Sequence, residues 1–241
     1  MRMRRKPWAR PELDSSDIYI KDPASFRGRW QEAFAKEQPL VVELGCGKGG
    51  FISRKALMHP EQNFLALDIK SEMLALAKRN VEAAYGEEPV DNVRLAAMNI
   101  ELIYRYLSEE DVTEEIYINF CNPWPKSKHK KRRLTYPAQL NSYKTFLKKG
   151  GRIYFKTDDD GLFEDSLEYF RDTGFTLEFV SRDIYSDPMP ENIATEHEKM
   201  FLDEGIKIKG LIAVSDGEVD RELLTRPDRM RLEGRKRNGE E

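Results

Sequence analysis

The chain has 241 residues, enough for one well-buried core with decorations, and 34% of them are charged. Its formal net charge of -3 would argue against a polyanionic partner if the charges were spread evenly, but cations crowd at Arg2, Arg4, Arg5, Lys6 and Arg10 and again from Lys126 to Arg133. Two cysteines and three scattered histidines supply no zinc cage, the first ten residues hold no apolar leader, and no run approaches a membrane span, so a soluble cytoplasmic protein without metal is expected.

Residues 1–20 mix cations, acids and prolines without apolar periodicity and are expected to form a flexible basic arm. Phe26, Trp30 and Phe34 recur at a four-residue spacing, which places them on one face of a short helix leading to a core strand near Leu40. The stretch VVELGCGKGG, Val41 to Gly50, reads as a buried strand, a turn too tight for side chains and a helix start. A short helix over 51–58, a strand over 63–68 ending in an acid, and a helix capped by Ser71 with Met73, Leu74, Ala77 and Val81 on one stripe follow. Further strands are expected over 92–96, 115–120, 152–157, 176–180 and 206–214, and helices over 100–107, 137–147, 160–170 and 195–202. This alternation predicts a doubly wound, mostly parallel α/β sheet of seven strands over residues 21–215, the last stretch reading as an antiparallel edge strand. Residues 216–241 turn polar and are expected to be a loose tail.

The glycine turn fits both a G-x-G-x-x-G dinucleotide fingerprint and a nucleoside-binding turn, with Gly45 and Gly47 at the bend. Asp68, at the next strand end, is placed to take ribose hydroxyls in either case. Glu43 separates the two, because a carboxylate there repels a pyrophosphate and suits a ligand with an ammonium end, such as S-adenosylmethionine. Asn99 follows the third strand and can either meet an adenine edge or cap the helix after it.

Asn122-Pro123-Trp124-Pro125 opens at the carboxyl end of the fourth strand, in the crevice where open α/β sheets bind ligands. The prolines fix the loop, and Trp124 offers a flat surface on which a base can stack, the alternative being a plug for the core. Lys126, Lys128, Lys130, Lys131, Arg132 and Arg133 follow at once, so a polyanion lying across the crevice accounts for loop and charge together. Thr157, Asp158, Thr195, Glu196 and Glu198 converge on the same sheet edge, where each is either a ligand contact or a cap or surface acid.

These residues resemble the bacterial tRNA (guanine-N(7))-methyltransferase family. The matching stretches are VELGCGKGGF, NFLALDIK, YINFCNPWPKSKHKKRRLTYP, GGRIYFKTDDDGLFEDSLEYF and NIATEHEKMFLDEG, with RMRRKPWA at the start. The resemblance implies a class I methyltransferase fold that uses S-adenosylmethionine to methylate a guanosine in the tRNA variable loop, as a monomer or a homodimer. It implies donor contacts at Glu43, Gly45, Gly47, Asp68, Asn99 and Asn122, with Asn122 and Asp158 as catalytic positions. It further implies substrate contacts at Trp124, Lys126, Lys128, Arg132, Arg133, Asp158, Thr195 and Glu198. Asn99 and Asn122 stand where family members usually carry aspartate, the second just before Pro-Trp-Pro. Ring nitrogen 7 of guanine bears a lone pair and no proton, so in-line displacement driven by positioning needs no general base and tolerates an asparagine. A shifted RNA target, or an RNA-binding relative that has lost catalysis, is the alternative that the two asparagines leave open.

Overall fold

A computed structural model of the chain describes residues 6–224. The eight strands of its one sheet are β1 (Tyr19–Ile20), β2 (Leu40–Leu44), β3 (Asn63–Asp68), β4 (Val93–Ala97), β5 (Thr113–Asn119), β6 (Leu147–Thr157), β7 (Phe175–Ser181) and β8 (Lys209–Ser215). Their order is β1-β4-β3-β2-β5-β6-β8-β7, parallel from β1 to β6, with β8 antiparallel to both of its neighbours. The antiparallel strand expected from the sequence is β8, and it lies one place inside the edge, with β7 outside it. Strand order reverses between β2 and β5, and the crevice beyond their carboxyl ends is where such sheets take ligands.

The middle strands are covered on both faces, which is why they read as unbroken apolar runs. All five residues of β2 are buried. Val42 and Leu44 pack into one core with Leu65, Ile116, Phe155, Phe163 and Phe170, whereas Val41 packs into the other with Phe64, Ala66, Tyr117 and Tyr154. The helices supply the covering layers: α1 (Ala9–Asp14), α2 (Ile52–Met58), α3 (Ser71–Tyr85), α4 (Pro137–Tyr143), α5 (Asp160–Asp172) and α6 (Glu196–Asp203). In α5, Leu162, Phe163, Leu167 and Phe170 form the buried stripe, and Asp159 caps the start by accepting the Leu162 N–H at 2.6 Å. No helix among the described residues is long and apolar enough to cross a membrane.

The helix expected around Phe26 to Phe34 is instead two 3₁₀ turns, Pro23–Phe26 and Trp30–Ala33. Gly28 breaks it at φ +83°, and the backbone N–H groups of Gly28 and Trp30 both donate to the Asp111 carboxylate, at 2.7 and 3.1 Å. The aromatic packing itself is present: Trp30 is buried and its indole N–H donates to the Tyr106 carbonyl at 2.7 Å.

The flexible arm is corrected for residues 6–20. Helix α1 lies on α3 with Ala9 and Leu13 fully buried, Arg79 stacks over Trp8 at 4.3 Å and pairs with Glu12 at 2.6 Å, and β1 adds to the sheet beside β4. Residues 1–5 lie outside the described residues. The loose tail is corrected over 216–224: Asp216 pairs with buried Lys144 at 2.7 Å, Asn141 and Asp220 exchange two hydrogen bonds, and Leu224 is buried. The remainder of that tail, 225–241, lies outside the described residues.

Docking of the arm makes Leu13 a core residue. Leu13→Ala is expected to destabilise the protein by about 2–4 kcal/mol, a fall of a few degrees in Tm for each kcal/mol. A thermal melt checks this; an unchanged Tm would mean that α1 is not part of the core.

Candidate active site

A cavity of about 630 Å³ opens at the carboxyl ends of β2, β3 and β5 and is lined by both constellations read from the sequence. On one side stand Glu43, Gly45, Gly47, Asp68 and Asn99, on the other Asn122, Trp124 and Arg132, with Thr195 and His197 from the start of α6. Gly45 and Gly47 take φ of +83° and +55°, and a Cβ on either meets no atom within 4 Å. Their backbone thus leaves room for a ligand that side chains would fill. Gly49 has a different task, since a Cβ there would lie 2.9 Å from the Ala77 Cα and push α3 away.

Two carboxylates face this space under different constraints. Asp68 shapes the turn, accepting the Gly47 N–H at 3.1 Å and the Lys70 N–H at 2.8 Å; burial raises its pKa and these bonds oppose the rise. Glu43 is less well supplied. Its Oε1 accepts from the Asn119 side-chain amide at 3.1 Å, while its Oε2 and the Asn119 Oδ1 are buried without a partner. Burial pushes the Glu43 carboxyl up to about 7, against the Asn119 hydrogen bond and the positive charge of Lys156, with Asp68 adding to the rise. Two adjacent buried acceptors lacking donors fit a ligand that brings an ammonium group.

Asn99 takes the capping role weighed for it, its side chain accepting the Glu101 N–H at 3.1 Å at the start of the 3₁₀ turn Ile100–Arg105, and it also lines the cavity. The Asn-Pro-Trp-Pro loop is set by unusual backbone, with Phe120 and Trp124 both at positive φ, +54° and +43°. Asn122 stabilises the bend, its side-chain carbonyl accepting the Trp124 N–H at 3.1 Å, and it lines the cavity. Trp124 is half-buried at the cavity wall and is no core plug; the Arg132 guanidinium sits 5.2 Å from its ring and His129 5.8 Å away.

The cationic run divides. Lys126, Lys128, Lys131 and Arg132 are exposed, whereas Arg133 is buried, pairing with Asp165 and donating to the Pro123 carbonyl at 2.7 Å. The expected RNA contact at Arg133 is therefore corrected to a brace under the loop, shared with Lys130, which pairs with Asp165 at 2.6 Å. Glu198 is also corrected. It is wholly buried, forms a capping box with Thr195 and pairs with Lys156 at 2.5 Å, so it presents no oxygen to a substrate. Asp158 is half-buried just past the end of β6, near the lining residue Cys121, and neither it nor Lys126 nor Lys128 lines the cavity.

Sequence reasoning missed Asn119, Phe120 and His197, all of which line the cavity. Asn119 carried one signal, a polar residue closing an apolar strand; His197 carried none, being placed by α6 so that its ring lies 6.0 Å from that of Phe120.

Comparison with known proteins shows the family. Residues 37–211 match the family described as "Putative methyltransferase". A tRNA (guanine-N(7)-)-methyltransferase of Clostridium beijerinckii is 56% identical over 218 residues, covering 90% of this chain and 100% of that protein. One of Ruminiclostridium cellulolyticum is 55% identical, covering 88% of this chain and 92% of its own length. Among solved structures, the 16S rRNA methyltransferase KamB superposes with a TM-score of 0.54 at 14% identity, over 78% of this chain and 91% of that one, which shows a shared class I methyltransferase fold. By the extent and identity of these matches, the chain belongs to the tRNA (guanine-N(7)-)-methyltransferase family.

Proposed function

We propose that this protein transfers a methyl group from S-adenosylmethionine to ring nitrogen 7 of a guanosine in the variable loop of cytoplasmic tRNA. The observation that carries the reading is the buried, unpartnered Glu43 Oε2 in the same cavity as the Asn-Pro-Trp-Pro loop and its exposed cations. Relatives more than half identical bear the name of this activity.

The donor supplies an electrophilic methyl group on a sulfonium. Glu43 and Asn119 would take its ammonium, Asp68 its ribose hydroxyls and Asn99 its adenine edge, while Gly45 and Gly47 let the backbone approach. Trp124 would hold the guanine once Arg132 leaves its ring for a phosphate, with Lys126 and Lys128 contacting the RNA backbone nearby. Nitrogen 7 has no proton to lose, so the residues around it need only align the base. The base becomes cationic as it is methylated, and Asp158 beside the cavity favours that charge. Asn122 supports the loop through its carbonyl, and its second side-chain group is a donor where an aspartate would offer an acceptor.

Label transferred from methyl-labelled donor to an unmodified tRNA transcript, mapped by cleavage at 7-methylguanosine, is expected at a variable-loop guanosine; tRNA binding without label would favour an RNA-binding relative instead. Asn122→Asp is expected to raise kcat/KM or the preference for guanine by roughly tenfold, about 1.4 kcal/mol within the range for one base contact. A fall in both would show that the asparagine is the fitted residue.

Glu43 also predicts a pH dependence. Burial in the fold pushes its carboxyl up from the usual 4.5 to about 7. Between those values the folded state keeps a proton that the unfolded state has lost, so stability falls as pH rises through the window, by about 3 kcal/mol. Glu43→Gln should flatten this decline in Tm and weaken donor binding above neutrality; a wild-type Tm that does not fall across the window would contradict the buried, proton-holding carboxyl.

A further inference from the structure

Two lysines, Lys55 on α2 and Lys156 on β6, are almost fully buried on the sheet face that carries Tyr117 and Tyr154. Both reach the irregular segment between β7 and α6. Lys55 pairs with Glu191 at 3.0 Å, from the side of α2. Lys156 does more, because its three acceptors all belong to residues 192–198: the Asn192 Oδ1 at 2.8 Å, the Ile193 carbonyl at 3.1 Å and the Glu198 Oε2 at 2.5 Å. Glu198 is in turn saturated, accepting from the Thr195 N–H, the Asn192 side-chain amide and the Tyr185 hydroxyl.

A buried ion pair is hard to break, yet it gives no more stability than apolar side chains of the same volume. What it adds is direction, since three fixed acceptors hold one point of the segment against the sheet. The residues so held include Thr195, with Glu196 and His197 next to it, and these form one side of the cavity. Lys156 is also the register partner of Asn119, whose side-chain amide donates to the Glu43 carboxyl. The charged and titratable groups acting on Glu43 are Lys156 from β6 and Asp68 from β3, and Glu43 in turn acts on the Cys46 thiol of the glycine turn. Lys156 is the positive member of this group, and it feels Glu198, Glu43 and Arg54.

We propose that Lys156 is a positioning residue of the methyl-transfer site, holding residues 192–198 so that Thr195, Glu196 and His197 close one side of the cavity while its charge acts on Glu43. The proposal rests on the reading of that cavity as the site of the donor and the guanosine. It assigns Glu198 an indirect part, through Lys156 and Thr195.

The test uses the full chain with two variants, Lys156→Met and the double variant Lys156→Met/Glu198→Leu, which removes both buried charges and so separates folding from positioning. Calorimetric binding of S-adenosylhomocysteine across pH and steady-state kinetics with tRNA are measured for each. In both variants the pH midpoint of binding is expected to move up by about one pH unit, because Glu43 loses its positive neighbour. KM for tRNA is expected to rise about tenfold as the cavity wall loosens, with kcat changed less. The double variant should melt above the single one, which keeps an unpaired buried carboxylate, and below the wild type, since Glu198→Leu also removes the cap and the acceptor of three donors. A double variant with wild-type midpoint and KM would overturn the proposal, and so would one as unstable as the single variant, since the lysine would then hold the fold and not the rim. A wild-type protein that neither binds S-adenosylhomocysteine nor labels tRNA overturns the reading of the cavity and the proposal with it.

Discussion

Glu43 sits at the end of the central strand, closed in by apolar neighbours on both faces, with a single side-chain amide to satisfy it. A carboxylate in that position is costly to bury, and burial holds its proton to about 7. The surroundings are arranged about this deficit. The glycine turn keeps side chains out of the space in front of it, Asn119 fixes one of its oxygens, and Lys156 lies one strand further on. The chain itself thus gives this buried carboxyl fewer donors than it can accept, and a cationic group is the chemical complement of what remains.

The same strand ends carry strain. Phe120 and Trp124, neither of them glycine, adopt the left-handed backbone region at about 1–2 kcal/mol each. They bracket Asn122, and the bend they produce turns the chain from the sheet into the basic loop. Arg133 and Lys130 pair with Asp165, so two cations of a run that looks uniform hold the loop while Lys126, Lys128, Lys131 and Arg132 stay exposed. A net negative chain can in this way present a positive face at its binding crevice.

Much of this was legible in the sequence because the signals are local. The unbroken apolar runs of β2 and β3 reflect burial on both faces, and the spacing from the glycines to Asp68 reflects one strand-helix-strand step. What escaped depends on partners far along the chain. Nothing near Gly28 announces that Asp111 will take its N–H, nor does the run around Arg133 reveal Asp165, 32 residues on. Glu198 read as a cap or a surface acid, and its cap is real, but its burial follows from Lys156, 42 residues earlier. The arm seemed loose because only Ala9 and Leu13 anchor α1, too few for periodicity to show.

The placement of β8 has a consequence for how the protein comes into being. The last strand of the sheet to be synthesised inserts between β6 and β7, so until residues 209–215 have left the ribosome the sheet is split beside β6. During that interval β6 presents an open edge, and the segment that closes the cavity is strung from an undocked β7. Lys209, at the start of β8, then donates to the Asp158 carbonyl just past β6 and pairs with Asp160 at the start of α5. Completion of the sheet thus waits on residues 209–215, which follow the last residues lining the cavity, 195–197.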